Sequence, residues 1–246
     1  MIVMSSELLT PLATKGSQSP LFIVPAIGTT PFSLIKLARS LKSGRPVYSF
    51  EPPGFEGDTL AYDTIEKLAG AYLTEIKTVQ ATGPYYLGGH CGGALIALEM
   101  VKQIESQFDE VALLIILEAI TPKCANISTT EDKVDSKQES ASMERAMQTV
   151  LEHISSQLML LPKNHAEHFG KVTHHLFQMA DKYRAPSVKA PIVHIHTRTH
   201  SRMVYQGWST LTTSGIEEHI ISGDTYSILA PPIVTTLAEK LDQQLW

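Results

Sequence analysis

The chain has 246 residues, of which 43% are hydrophobic and 18% charged, and its formal net charge is −5. This length suits one large domain, and the composition is typical of a globular protein. The negative charge disfavours nucleic acid as a partner, and no apolar run reaches the roughly 18 residues that cross a bilayer. Two cysteines are too few for a disulfide framework, and the first residues lack the apolar core of a signal peptide. We therefore expect a cytoplasmic protein with neither nucleic acid nor a membrane as a partner.

Strands and helices alternate through the first half of the chain. Residues 1–19 are mixed and polar, and we interpret them as a lead-in to a domain at 20–246. Apolar runs predict buried strands at 20–25, 46–50 and 111–117. Apolar residues at helical spacing predict helices at 32–41 and 64–78. Alternation of this kind predicts a mostly parallel sheet with helices on both faces.

The second half interrupts this alternation and then resumes it. Residues 121–185 begin with a polar, charge-rich stretch and continue with amphipathic helical patterns, and we interpret them as a helical lid inserted over the catalytic edge. Its apolar positions, such as Leu176 and Phe177, are expected mainly to pack. Strand patterns return at 191–196 and 216–221, and a last helix is predicted at 232–245.

The stretch from Tyr85 to Met100 carries the chemistry. An apolar strand ends in Gly89-His90-Cys91-Gly92-Gly93, and a helix-forming run follows at once. This is the strand–turn–helix context of a nucleophile elbow, G-x-S-x-G, with cysteine in place of serine. A Cβ at Gly89 or Gly93 is expected to collide with the neighbouring strand or helix.

The residues around this elbow resemble a known family. The lead-in Gly83-Pro84-Tyr85-Tyr86-Leu87-Gly88-Gly89-His90 and the later run at 222–229, Ser-Gly-Asp-Thr-Tyr-Ser-Ile-Leu, are similar to the thioesterase domains of non-ribosomal peptide and polyketide synthases. The resemblance implies an α/β-hydrolase fold. It also implies that an acyl or peptidyl chain is released from the phosphopantetheine thioester of a carrier protein, by hydrolysis or cyclisation, without a tightly bound cofactor.

The resemblance also assigns roles. Cys91 matches the nucleophile, and the N–H groups of Ala26 and Gly92 match the oxyanion hole. Glu118 matches the triad acid, which is usually an aspartate. Thr225 stands where the family has its triad histidine, so the usual general base is missing.

These departures predict an altered reaction. A free thiol is a few per cent thiolate at pH 7, and the helix N-terminus is expected to raise that fraction for Cys91. We therefore expect an acyl-cysteine that forms readily and is hydrolysed slowly, which favours transfer to an amine, hydroxyl or thiol acceptor. Alternatively, His196 or His200, near the end of a strand, replaces the base, with Glu118 orienting it.

Other interpretations stay open. The chain is alternatively a non-catalytic homologue that binds an acyl-carrier protein or its cargo, or an engineered or trapped thioesterase. The acyl chain, the acceptor and the choice between a free-standing and an excised domain are not decided. A metal site among His165, His168, His174 and His175 was considered, but no carboxylate stands at the expected offset, and no metal site is predicted.

Overall fold

A computed structural model describes residues 8–54, 62–120, 163–198, 206–224 and 227–245. Over these residues the chain forms one sheet of seven strands, in the order β1-β3-β2-β4-β5-β6-β7. The strands are β1 Leu9–Ala13, β2 Leu21–Val24, β3 Val47–Phe50, β4 Tyr85–His90, β5 Val111–Leu117, β6 Ile192–Thr197 and β7 Ile216–Ile221. Strands β2 to β7 are mutually parallel. The predicted α/β-hydrolase fold with a mostly parallel sheet is confirmed.

Strand β1 is the one antiparallel strand among those described, and it lies inside the expected lead-in. Leu9 pairs with Phe50 of β3, and the register shifts between Pro11 and Ala13. Proline has no N–H to donate, so it is tolerated at such an edge. The hydroxyl of Thr10 also donates to Glu51 Oε1 at 2.7 Å. The sheet therefore begins at residue 9, and the expected boundary at residue 20 falls within the folded unit.

The helices follow the strands. They are α1 Ile35–Ser40, α2 Ile65–Val79, α3 Gly93–Ser106, α4 Lys163–Lys182 and α5 Ile233–Leu245, and short 3-10 helices span Pro31–Leu34 and Gln206–Leu211. Helix α2 begins after Thr64, whose side chain accepts a hydrogen bond from the Lys67 N–H and so caps the helix.

The two faces of the sheet carry separate cores. Alternate residues of β5 point to opposite faces, so Leu114 packs with α2, α3 and α4 while Ile115 packs with α1 and α5. Helix α4, the described part of the expected lid, packs in the first core through residues including Leu176 and Phe177. Residues 121–162 lie outside the described part of the chain, so the lid over the catalytic edge stays a prediction. No described helix has the length and apolar character needed to cross a membrane.

Candidate active site

Cys91 lies in the tight turn between β4 and α3, with a φ of 50°. A Cβ on Gly89 would lie 2.4 Å from the Cα of Ala94, and one on Gly93 would lie 2.3 Å from the carbonyl oxygen of Pro25. Real Cβ atoms do not approach backbone so closely, so both positions need glycine, as the sequence predicts. A left-handed backbone at a residue other than glycine costs about 1–3 kcal/mol. The fold therefore holds the thiol of Cys91 on a strained turn at the start of a helix.

The loop after β2 packs against this turn. A Cβ on Gly92 would lie 2.7 Å from Cδ1 of Ile27, so the loop and the elbow are in contact. The carbonyl oxygen of Ala26 accepts hydrogen bonds from the Thr29 N–H at 3.0 Å and from the Thr29 hydroxyl at 2.8 Å. These bonds fix the conformation of the loop. The peptide groups of Ala26 and Gly92, which the family resemblance matches to the oxyanion hole, thus belong to two segments in contact.

A small cleft opens beside the same loop. Its lining is mainly apolar and includes Ala26, Ile27, Gly28, Pro52, Ile96 and Leu176. Helix α4 contributes one wall through Leu176, one of the lid positions expected mainly to pack.

Glu118 follows β5 directly and is buried, with a φ of 48°. The N–H of Cys91 donates to Leu117 at 2.8 Å, and the N–H of Glu118 donates to Ile195 at 2.9 Å, so the ends of β4, β5 and β6 lie side by side. The two carboxylate oxygens of Glu118 accept hydrogen bonds from Thr197, one from its N–H at 2.6 Å and one from its hydroxyl at 2.7 Å. The structure therefore brings Glu118 to the edge that carries Cys91 and holds it there through Thr197.

His196 is held by groups other than Glu118. Its Nδ1 lies 3.0 Å from the carbonyl oxygen of Thr197, and its Nε2 lies 2.7 Å from Oε1 of Glu218 on β7. Side chains alternate along a strand, so His196 and Thr197 point to opposite faces of the sheet. The geometry gives His196 a carboxylate partner different from the expected Glu118. His200 and Thr225 lie outside the described residues.

Comparisons with known proteins identify the family. The family model described as "Thioesterase domain" matches residues 19–245. The chain belongs to the thioesterase domain family. An atromentin synthetase of Paxillus involutus is 33% identical over 104 residues, which are 42% of this chain and 11% of that protein. A dimodular nonribosomal peptide synthase of Bacillus subtilis is 32% identical over 113 residues, 46% of this chain and 5% of that protein.

Solved structures show the same fold. A covalent complex of the NocB thioesterase domain matches 97% of this chain and 100% of its own with a TM-score of 0.77, at 18% identity. The resemblance to thioesterase domains of peptide synthetases is confirmed. This thioesterase domain spans only a small part of the curated synthetases that it matches.

The thiol of this thioesterase domain is less acidic than expected. Burial raises the pKa of Cys91, a hydrogen bond from the Gly92 backbone opposes the rise, and the charge of Glu118 adds to it. The N–H of Gly92 at the helix N-terminus lowers the pKa in the expected direction, but desolvation outweighs it, so the net shift is opposite to the expected one. Cys91 is half-buried by exposed area, and the partial loss of hydration disfavours the anion more than this N–H stabilises it.

Three histidines of α4 bind backbone and amide groups. Nε2 of His168 contacts the carbonyl oxygen of Gly54, and Nε2 of His175 lies 2.6 Å from that of Tyr62. His174 lies 3.0 Å from the amide of Gln178. These contacts connect α4 to the segments on either side of residues 55–61. The side chain of His165 lies outside the described part of the chain.

Sequence reasoning missed three polar residues of β6 and β7. Thr197, which holds Glu118, ends the strand beside β5, and its place directly after the predicted strand at 191–196 was a signal for it. His194 and Glu218 lie near His196, and burial lowers the pKa of His194 to about 3, with a contribution from the His196 charge. Spacing along the chain marks His194, two residues before His196 on the predicted strand, but not Glu218, whose proximity arises from the pairing of β6 with β7.

Proposed function

We propose that this thioesterase domain accepts an acyl or peptidyl chain from a carrier-protein phosphopantetheine thioester onto Sγ of Cys91. It then passes the chain to an amine, hydroxyl or thiol acceptor, cyclises it, or hydrolyses it slowly. The observation that carries the proposal is the position of Cys91, on a left-handed turn at the start of α3. The setting we propose is non-ribosomal peptide or polyketide biosynthesis in the cytosol.

The first half of the reaction needs little from the protein beyond position. The Cys91 thiolate attacks the thioester carbonyl carbon, the carbon–sulfur bond to phosphopantetheine breaks, and the proton lost by Cys91 ends on the departing pantetheine thiol. One thioester replaces another, so the step is close to isoenergetic. The N–H groups of Ala26 and Gly92 are our candidates for binding the oxyanion, a role in which one donor typically contributes about 3–4 kcal/mol.

The raised pKa of Cys91 makes this step slow at neutral pH and faster as pH rises. Thiolate is the reacting form, so its scarcity limits the rate. The related NocB domain forms a covalent complex with a fluorophosphonate analogue of nocardicin G, which supports a covalent route on this fold.

The second half of the reaction, release of the acyl chain from Cys91, lacks the family's general base, because threonine stands at position 225. A base that activates water typically contributes about 10²–10⁴-fold. An amine acceptor is itself nucleophilic and needs less assistance, so transfer is favoured over hydrolysis. A replacement base from His196 or His200 remains part of this proposal.

A second candidate function is binding of an acyl-carrier protein or its cargo without turnover. Two observations favour it: the pKa of the Cys91 thiol is raised, and both carboxylate oxygens of Glu118 accept hydrogen bonds from Thr197. A poorly ionised thiol, together with a carboxylate that is hydrogen-bonded to a threonine, suits a site that binds its ligand but no longer catalyses acyl transfer.

Intact-mass analysis after incubation with an acyl-carrier thioester separates the two. Our proposal expects an acyl adduct that is absent in Cys91→Ala and present in Cys124→Ala, the matched control at the other cysteine. An added amine should accelerate loss of the adduct more than water does. Rapid release of free acid without an adduct contradicts slow hydrolysis, and carrier binding with neither adduct nor product supports the binding function.

A further inference from the structure

A second cluster of ligating side chains lies on β6 and β7. His194 and His196 are two residues apart on β6, so they share one face of the sheet, and His194 pairs in register with Glu218 of β7. One ligand atom from each of these three residues lies within 4.8 Å of the others. Both histidines are buried, while 43% of the Glu218 side chain is exposed. The cluster is thus reachable from solvent on the Glu218 side.

Both ring nitrogens of His196 face oxygen atoms. Nδ1 faces the carbonyl oxygen of Thr197 at 3.0 Å, and Nε2 faces a carboxylate oxygen of Glu218 at 2.7 Å. A neutral imidazole carries one N–H, and the tautomer in which Nδ1–H donates to Thr197 leaves the Nε2 lone pair directed at Glu218. In that tautomer a ring nitrogen and a carboxylate oxygen face each other, which is an arrangement that a metal ion can bridge.

We infer that His194, His196 and Glu218 form a binding site for a divalent transition metal of the Zn²⁺ type. Two imidazoles and one carboxylate are a ligand set that suits Zn²⁺ and that Mg²⁺ and Ca²⁺ do not favour. The Nδ1–H bond of His196 to a backbone carbonyl is the usual support of a metal-ligating histidine, since it fixes the tautomer and the ring orientation.

The distances between the ligand atoms need only a small adjustment to fit a tetrahedral Zn²⁺ site. Tetrahedral bonds of about 2.0–2.1 Å to Zn²⁺ place neighbouring ligand atoms about 3.3 Å apart. The 2.7 Å separation of His196 Nε2 and Glu218 Oε1 must open slightly, and the wider separations must close. Glu218 is half-exposed and is the ligand that moves, while the buried rings stay fixed.

The metal would join the edge strand β7 to β6 beside Thr197, the residue that holds Glu118. Metal binding would thus stabilise the carboxyl edge of the sheet. This inference does not rest on the proposed function, since it involves neither Cys91 nor an acyl substrate. A metal ion on His196 would occupy that ring, and His200 would then be the one replacement base left in the proposed function.

Calorimetric titration of the full chain with ZnCl2 tests the inference. The parent protein carries Cys91→Ser and Cys124→Ser, so that no thiol competes for the ion. We expect one equivalent of Zn²⁺ to bind, with affinity about tenfold or more weaker in Glu218→Gln. The matched control is Glu217→Gln, on the same strand and similarly exposed, which pairs with His219 instead and should bind as the parent does.

Thermal unfolding with and without ZnCl2 gives a second measurement on the same variants. Zn²⁺ should raise the Tm of the parent and of Glu217→Gln and leave that of Glu218→Gln nearly unchanged. Because Glu218 is half-exposed, its variant is expected to fold. The inference is overturned if Zn²⁺ does not bind stoichiometrically, or if Glu218→Gln binds it as tightly as the parent.

Discussion

Thr197 holds the carboxylate of Glu118 with two short hydrogen bonds, one from its N–H at 2.6 Å and one from its hydroxyl at 2.7 Å. Both residues are buried, so no bulk water replaces either bond if it is lost. The pair joins the ends of β5 and β6 at the edge where Cys91 lies. The position of the candidate triad acid is thus set by a residue outside the expected triad.

Replacing Thr197 by valine should destabilise the protein. Valine keeps the shape and the N–H but removes the hydroxyl, so one buried carboxylate oxygen loses its donor. A hydrogen bond to a charged group contributes about 1.5–3 kcal/mol, and we expect the free energy of unfolding in urea to fall by that amount. Thr210→Val is the control, because that exposed hydroxyl bonds only its own turn at Gly207, and it should change stability by less than about 0.5 kcal/mol. Equal effects of the two variants would contradict the prediction.

Alkylation of Cys91 should require high pH. Burial raises the pKa of the thiol, so the folded state binds the thiol proton more tightly than the unfolded state does. In a Cys124→Ser background, the rate of reaction with iodoacetamide should reach its midpoint at higher pH in folded protein than in urea-unfolded protein. The same shift makes Cys91 a source of stability below its unfolded pKa, which is lost as pH rises through the folded pKa. A folded midpoint at or below the unfolded one would show that the helix N-terminus outweighs burial.

Replacing an elbow glycine by alanine should destabilise the protein far more than the same substitution at a glycine elsewhere. A Cβ at position 89 would lie 2.4 Å from the Cα of Ala94, and backbone there has no room to move. We expect Gly89→Ala to lower the Tm severely or to prevent folding. Gly170 of α4 is the control, because a Cβ there meets nothing within 4 Å. Alanine in a helix is favoured over glycine by about 0.5–1 kcal/mol, so Gly170→Ala should unfold at the same or a higher temperature, and a similar loss in both variants would refute the steric argument.

Histidine at position 225 should restore hydrolysis if the site is otherwise intact. The family places its general base there, and such a base contributes about 10²–10⁴-fold. In Thr225→His, the acyl-Cys91 adduct should decay to free acid faster by a factor in that range, as followed by intact mass. Thr225→Asn, polar but not basic, should leave the decay unchanged. If both variants behave as the parent does, the missing base is not what limits release.

The sequence by itself determined the sheet and the elbow. Apolar runs mark β2 to β5, strand patterns mark β6 and β7, and spacing marks the glycines around Cys91, because all of these signals are local along the chain. Strand β1 was missed because it is short, contains Pro11, and is a strand only through its pairing with β3. Its local pattern resembles a loop.

Tertiary structure alone decided the electrostatics of the site. The pKa of Cys91 rises because the folded chain withdraws the thiol from water, which no motif records. Thr197 bonds to Glu118 across neighbouring strands, although the two residues are 79 positions apart. Glu218 likewise approaches His194 and His196 from the neighbouring strand, and it lies 22 positions beyond His196. Motif spacing reports what lies close along the chain, whereas desolvation and hydrogen bonding depend on which strands the sheet places side by side.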